Sequence, residues 1–167
     1  MTGRPLLLLD IDGVLNPYAA PGCPAGYAEH VLFAGEEPVR VCAGHGDWLR
    51  ELATRFTLVW ATAWDEEANR RLAPLLGLAD LPVVPMPLPF PPEWKLPAVS
   101  RFAGAHPLAW LDDALTPAAH EWAAARTVPT LLIDIDPAIG LTRAVVDQCL
   151  TWAATLVPPG PRITRGT

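Results

Sequence analysis

The chain has 167 residues, 51% of them apolar, with a formal net charge of −6. That length suits one domain with a full-sized core, and the apolar content excludes general disorder. The acidic balance argues against non-specific binding of nucleic acid by the whole surface, though a local basic patch remains compatible with it.

The first element is Leu6-Leu7-Leu8-Leu9, followed by Asp10-Ile11-Asp12-Gly13-Val14. Four leucines read as a strand buried on both faces. Alternate residues of a strand point to one side, so Asp10 and Asp12 share one small volume. Two carboxylates that close repel unless a cation or a shared proton offsets them. Gly13 lets the chain turn there. The leucine run meets Asp10 and Asp12 too soon for a signal peptide, and no apolar run reaches membrane-spanning length. Cys23, Cys42 and Cys149 are scattered, without CxxC spacing, and read as free thiols in a reducing compartment. The expectation is a soluble cytoplasmic protein without a membrane partner.

Residues 13–44 are irregular and rich in Pro and Gly. Within them, Val31-Leu32-Phe33 and Val39-Arg40-Val41 read as a hairpin closed by Ala34-Gly35-Glu36-Glu37-Pro38. This is a flap beside the aspartate pair, too short for a separate cap domain. Asp47 to Arg55 follows as a short helix with Trp48, Leu49 and Leu52 on its apolar face. Phe56 to Ala61 is a second strand, ending at Thr62. Trp64 to Leu76 reads as a helix, with Thr62 and Asp65 as a capping pair, Glu66 and Arg70 paired at i, i+4, and Pro74 as a kink. Leu81 to Val84 is a third short strand. A stiff proline-rich connector leads to a helix from Lys95 to Ala103. Lys95 is the one lysine among twelve basic residues.

Pro107 to Leu111 is a fourth strand, ending in Asp112-Asp113. Thr116-Pro117 starts a helix that runs to about Arg126. Thr130 to Ile133 is a fifth strand ending in Asp134-Ile135-Asp136, which reads as a turn. Thr142 caps a last helix carrying Val145, Cys149, Trp152 and Leu156. The expected division is one domain over residues 1–157, with the flap at about 13–44, and a disordered tail over 158–167.

Alternating apolar strands and amphipathic helices argue a three-layer α/β/α, Rossmann-like parallel sheet. The carboxyl ends of such strands form the ligand crevice. Asp10, Thr62, Asp112 and Asp134 are thereby collected along one edge. Carboxylate oxygens without His or Cys suit Mg²⁺. Thr62 adds a hydroxyl and Lys95 a positive charge. These are the parts that phosphoryl transfer requires: a carboxylate nucleophile, charge neutralisation, and a second carboxylate for proton transfer.

D-x-D-G-V, a strand-ending Thr, a Lys and a strand-ending D-D, in that order, resemble the haloacid dehalogenase-like superfamily of phosphohydrolases. The resemblance covers roughly Pro5 to Leu156. It implies Asp10 as nucleophile, Asp12 as acid/base, and Thr62 and Lys95 as phosphate ligands. It implies Mg²⁺ on Asp10, the Asp12 carbonyl and Asp112, with Asp113 assisting, and a sheet in the order 5-4-1-2-3. Gly13, Ala63 and Trp64 join Thr62 and Lys95 in the expected substrate-binding set. Trp60-Ala61-Thr62-Ala63-Trp64 with Ala68-Asn69 further resembles small cap-less members, including domains of RNA-repair proteins.

The substrate is then a phosphorylated small molecule or a nucleic-acid end. A phosphotransferase and a non-catalytic phosphate-binding module remain alternatives. Trp64 either stacks on a base or packs under the flap, and Trp60 is a core residue. Arg70 and Arg71 read as solvated or paired, and His45 as an ordinary loop histidine. A nucleotide-binding Rossmann domain is disfavoured, because no G-x-G-x-x-G or P-loop follows the first strand.

Overall fold

The structure is a computed structural model, and it describes residues 3–86 and 91–156. The leucine run forms β1 (Leu6–Leu9), fully buried along its length. β2 (Ala28–His30) and β3 (Val39–Val41) make a separate antiparallel hairpin. α1 (Gly44–Ala53) leads into β4 (Thr57–Trp60). After the connector come α2 (Lys95–Ala103), β5 (Leu108–Asp112), α3 (Pro117–Ala125), β6 (Thr130–Asp134) and α4 (Arg143–Thr155).

The main sheet is parallel, in the order β4-β1-β5-β6. The expected third strand, Leu81 to Val84, is reduced to a single parallel bridge between Val83 and Trp60 beyond β4. Counting that bridge as an edge, the order is the 5-4-1-2-3 that the resemblance implies. Among the described residues the hairpin is the inserted element, and no large cap is present.

Period-2 alternation divides the core. Leu7, Leu9, Leu58, Trp60 and Leu111 face one side of the sheet, with Leu49 and Leu52 of α1 and Val146 and Cys149 of α4. Leu6, Leu8, Val59, Ala61 and Trp110 face the other, with Ala98 and Val99 of α2 and Ala119 of α3. Each fully buried leucine contributes about 1.5–3 kcal/mol. Thr116 and Thr142 cap α3 and α4, their hydroxyls accepting from the Ala119 and Val145 N–H groups.

Three local expectations are corrected. The first strand of the hairpin is Ala28–His30, not Val31-Leu32-Phe33, because Ala28 pairs with Val41 and His30 with Val39. This register frees residues 31–38 as a long loop, in which Phe33 turns against Trp64. Second, no continuous helix spans Trp64 to Leu76. Asp65 is left-handed (φ 49°), a π-helical turn covers Ala68–Leu72, and a 3₁₀ turn covers Pro74–Leu76. A regular helix would drive the Pro74 ring into the carbonyl of Arg70. The Ala73 N–H bonds the Ala68 carbonyl instead, at 3.0 Å. The widened turn also lets buried Asn69 accept from Trp60 Nε1 and from the Leu81 N–H. Third, Glu66 does not pair with Arg70; Arg70 and Arg71 both pair with Glu67.

α1 begins earlier than expected, so His45 lies in its first turn rather than in a loop. Gly46 permits the close approach of α1 to the 3₁₀ turn, since a Cβ there would sit 2.1 Å from the Leu76 carbonyl oxygen. No helix among the described residues is long and apolar enough to cross a membrane. The central part of the proline-rich connector (87–90) and the expected tail lie outside the described residues.

His45 is 2% exposed, and its Nδ1 has no hydrogen-bond partner among the described residues. Burial pushes its pKa from 6.5 down to about 4. The unfolded chain therefore binds the extra proton first, and stability falls as pH drops from 6.5 toward 4. By pH 4 this group costs about 3 kcal/mol. Urea unfolding at pH 7 and pH 4.5 tests this: His45→Gln should lose less stability between the two pH values than wild type. Equal losses would assign the acid sensitivity elsewhere.

Candidate active site

β1 and β5 are neighbours in register, Leu9 opposite Leu111, so Asp10 and Asp112 emerge side by side. Asp10 is 6% exposed and Asp112 is fully buried. Lys95 opens α2 and is also buried. Its Nζ donates to Asp10 Oδ2 at 2.5 Å and to Asp112 Oδ2 at 2.7 Å. A cation at a helix amino terminus opposes the helix dipole, and the two carboxylates offset that penalty. Asp112 is further held by Trp110 Nε1 at 3.2 Å and by the Ala114 N–H at 2.9 Å. Asp10 Oδ1 accepts from the Ile11 N–H at 2.8 Å.

Burial pushes the Asp10 carboxyl up to about 7, with the Asp112 charge adding to the rise and Lys95 opposing it. Burial works against the Lys95 ammonium, but Asp10 and Asp112 outweigh it and raise its pKa. Burial, then the Asp112 charge, raises Asp113. A cation placed here favours the ionised form of each carboxylate.

A cavity of about 310 Å³ opens in front of these groups. Asp10, Asp12, Lys95 and Asp113 line it, with Thr62, Ala63 and Tyr18. Thr62 is 1% exposed, and its hydroxyl accepts from the Trp64 N–H at 3.4 Å. It therefore supports the turn after β4 rather than capping a long helix. Gly13 has φ 80°, and a Cβ on it would lie 2.3 Å from Asp113 Cγ. Glycine is thus required both by conformation and by the approach of Asp113.

Asp12 lines the same cavity as Asp10, but its carboxylate has partners of its own. Its carboxylate faces the flap, accepting from Asn16 Nδ2 and from Trp64 Nε1, both at 2.8 Å. Trp64 stands under the flap, edge-on to Phe33 at 4.8 Å between ring centroids. Asn16 and Tyr18 were not anticipated. Tyr18 donates to Asp113 Oδ2 at 3.1 Å and is 54% exposed. No local pattern marks either residue; only the fold brings them to the aspartates. Asp134 pairs with His120 at the surface, and Asp136 accepts from the Ala138 N–H in a turn.

Asp10, Asp112 and Asp113 each offer a carboxylate oxygen, and these lie within 4.8 Å of one another. An all-oxygen donor set of this kind fits a hard divalent cation such as Mg²⁺. Asp112 is already engaged by Lys95 and Trp110 and has no exposed surface, whereas Asp113 opens on the cavity.

Residues 6–146 match the model of a family described as the HAD domain in Swiss Army Knife RNA repair proteins. The chain belongs to this family. HAD is the haloacid dehalogenase-like fold, so the order of D-x-D-G-V, Thr62, Lys95 and Asp112-Asp113 sits in the expected architecture. The HAD domain of the effector protein Lem4 from Legionella pneumophila has a similar fold, with a TM-score of 0.59. The two chains are 14% identical, and the match covers 93% of this chain and 98% of that one. No curated protein sequence matches the chain.

Removing one partner from a buried ion cluster leaves uncompensated charge. Lys95→Met should lower the unfolding free energy at pH 7 by about 3–5 kcal/mol. Adding Asp112→Leu to that variant should recover part of the loss. Urea denaturation measures both, and a Lys95→Met protein as stable as wild type would contradict the ion cluster.

Proposed function

We propose that this HAD domain is a Mg²⁺-dependent phosphomonoesterase that works through a phosphorylated Asp10. The observation that carries the reading is Asp10, fixed by Lys95 in the wall of a cavity that Asp12 also lines. In the first step an Asp10 carboxylate oxygen bonds to phosphorus. The bond from phosphorus to the alcohol oxygen breaks, its electron pair stays on that oxygen, and the Asp12 carboxyl supplies the proton. In the second step water bonds to phosphorus, Asp12 takes the water's proton, and the bond to Asp10 breaks, freeing phosphate.

Lys95 and the Thr62–Ala63 turn lie where phosphoryl oxygens enter, and the ammonium offsets their charge. Asp10 and Asp113, with Asp112 behind them, would hold Mg²⁺, which when bound supplies further neutralisation of the phosphoryl oxygens. The resemblance gave Asp112 the leading part as metal ligand. We assign that part to Asp113, which opens on the cavity, and read Asp112, which Lys95 and Trp110 engage, as the anchor of Lys95.

Among the described residues the hairpin flap is the one element inserted over the site, which suits a phosphate borne by a larger molecule. A nucleic-acid end is one such substrate, and the family's description among RNA repair proteins supports it. A phosphotransferase would use the same residues with an alcohol replacing water. The free thiols suit a reducing compartment, and we read the protein as cytoplasmic.

Phosphate release from aryl phosphate, sugar phosphates, nucleotides and end-phosphorylated oligonucleotides tests the reading. Release should require Mg²⁺ and fall to background in Asp10→Asn. Asp113→Asn should raise the Mg²⁺ concentration for half-maximal rate by about tenfold or more. Mg²⁺-independent release, or activity retained by Asp10→Asn, would move the chemistry elsewhere.

A further inference from the structure

Both oxygens of the Asp12 carboxylate are held by residues that the flap itself holds. Asn16 Nδ2 donates to Oδ1, and Asn16 Oδ1 in turn accepts from the Arg40 N–H of β3 at 3.0 Å. Trp64 Nε1 donates to Oδ2, and the Trp64 ring rests against Phe33 of the flap loop. The Arg71 guanidinium lies 4.7 Å from the centre of the Phe33 ring, which fixes the loop further. Each carboxyl oxygen has two acceptor positions, so either still has room for a proton. Between the flap and Asp12 lies a second cavity, of about 360 Å³. Phe33, Val39 and Trp64 form its apolar wall, and Glu29, Glu36, Glu37 and Arg40 also line it. It shares Asp12 and Tyr18 with the cavity in front of Asp10.

We propose that this second cavity receives the leaving alcohol, and that Trp64 and Asn16 are positioning residues that aim the Asp12 carboxyl at its oxygen. The inference deepens the phosphatase reading and rests on it. Asp12 stands where the two cavities meet, so a phosphate at Asp10 directs its ester oxygen past Asp12 into the flap cavity. The aromatic wall suits an alcohol bearing a ring. Arg40 pairs with Glu29, so Glu36 and Glu37 disfavour further negative charge in the part of the alcohol that enters the cavity. The group beside the reacting phosphate is therefore a neutral, ring-bearing alcohol of about nucleoside size, which the terminal nucleoside of a nucleic-acid strand also supplies.

Leaving groups separate this role from a structural one. A nucleoside alkoxide needs a proton as it departs, whereas 4-nitrophenolate leaves without one. Trp64→Phe keeps the ring and removes the N–H. Its kcat/KM for a nucleoside 5′-monophosphate, which reads the first step alone, should fall at least about tenfold more than its kcat/KM for 4-nitrophenyl phosphate. Asn16→Ser, which breaks the other bond to Asp12, should give the same split if Trp64→Phe does not fold. Wild type should hydrolyse nucleoside monophosphates faster than glycerol phosphate.

Equal losses of kcat/KM on both leaving groups, or a preference for glycerol phosphate, would overturn the inference. Any of these, seen with Asp10-dependent release, would leave the phosphatase reading standing. No Asp10-dependent release from any ester would overturn both.

Discussion

The ammonium of Lys95 lies between two buried carboxylates that belong to adjacent strands. Taking even one such charge out of water costs several kcal/mol unless it is paired. β1 and β5 run side by side and end in Asp10 and Asp112, so the sheet creates a repulsion at its carboxyl edge. Lys95 relieves it, entering from the first turn of α2. That same ammonium then orders the site. It turns Asp10 and Asp112 toward itself and leaves Asp113 to face the cavity, where Gly13 alone leaves space for it.

The sheet was legible because its signals are local and redundant. Leu6–Leu9, Val59–Trp60 and Leu108–Leu111 are apolar on both faces, as strands covered by helices must be. Thr116 and Thr142 cap helices as their sequence context implies. Strand order then gathers the polar residues, so the Asp10 edge followed from topology. The stretch after Thr62 was not legible. Its residues suit a helix, but Pro74, the reach of Asn69 toward Trp60 and Leu81, and the bond from Trp64 to Asp12 all require other backbone geometry. Tertiary hydrogen bonds outweighed local propensity there. Asn16 looks like an ordinary loop residue until the flap folds over it. That Lys95 would reach Asp112 rather than Asp113 is encoded by no spacing.

Function in this domain is divided between rigid and inserted parts. The sheet supplies Asp10, Thr62 and Asp112, the connector delivers Lys95, and the flap holds Asp12 through Asn16 and Trp64. On the proposed reading, the groups that bind phosphate stand on the sheet and α2, while the group that exchanges protons is oriented by a short hairpin. A change in the hairpin would then alter which alcohol departs without disturbing how phosphate is held.

In the proposed mechanism Asp10 carries the phosphoryl group during turnover. Acid quenching of the protein while it hydrolyses a phosphomonoester in Mg²⁺, followed by mass spectrometry of its peptides, would detect that group. One added phosphoryl group, labile to hydroxylamine, is expected on the peptide that contains Asp10. A phosphoryl group on another residue, or turnover with no covalent adduct at any quench time, would contradict the mechanism.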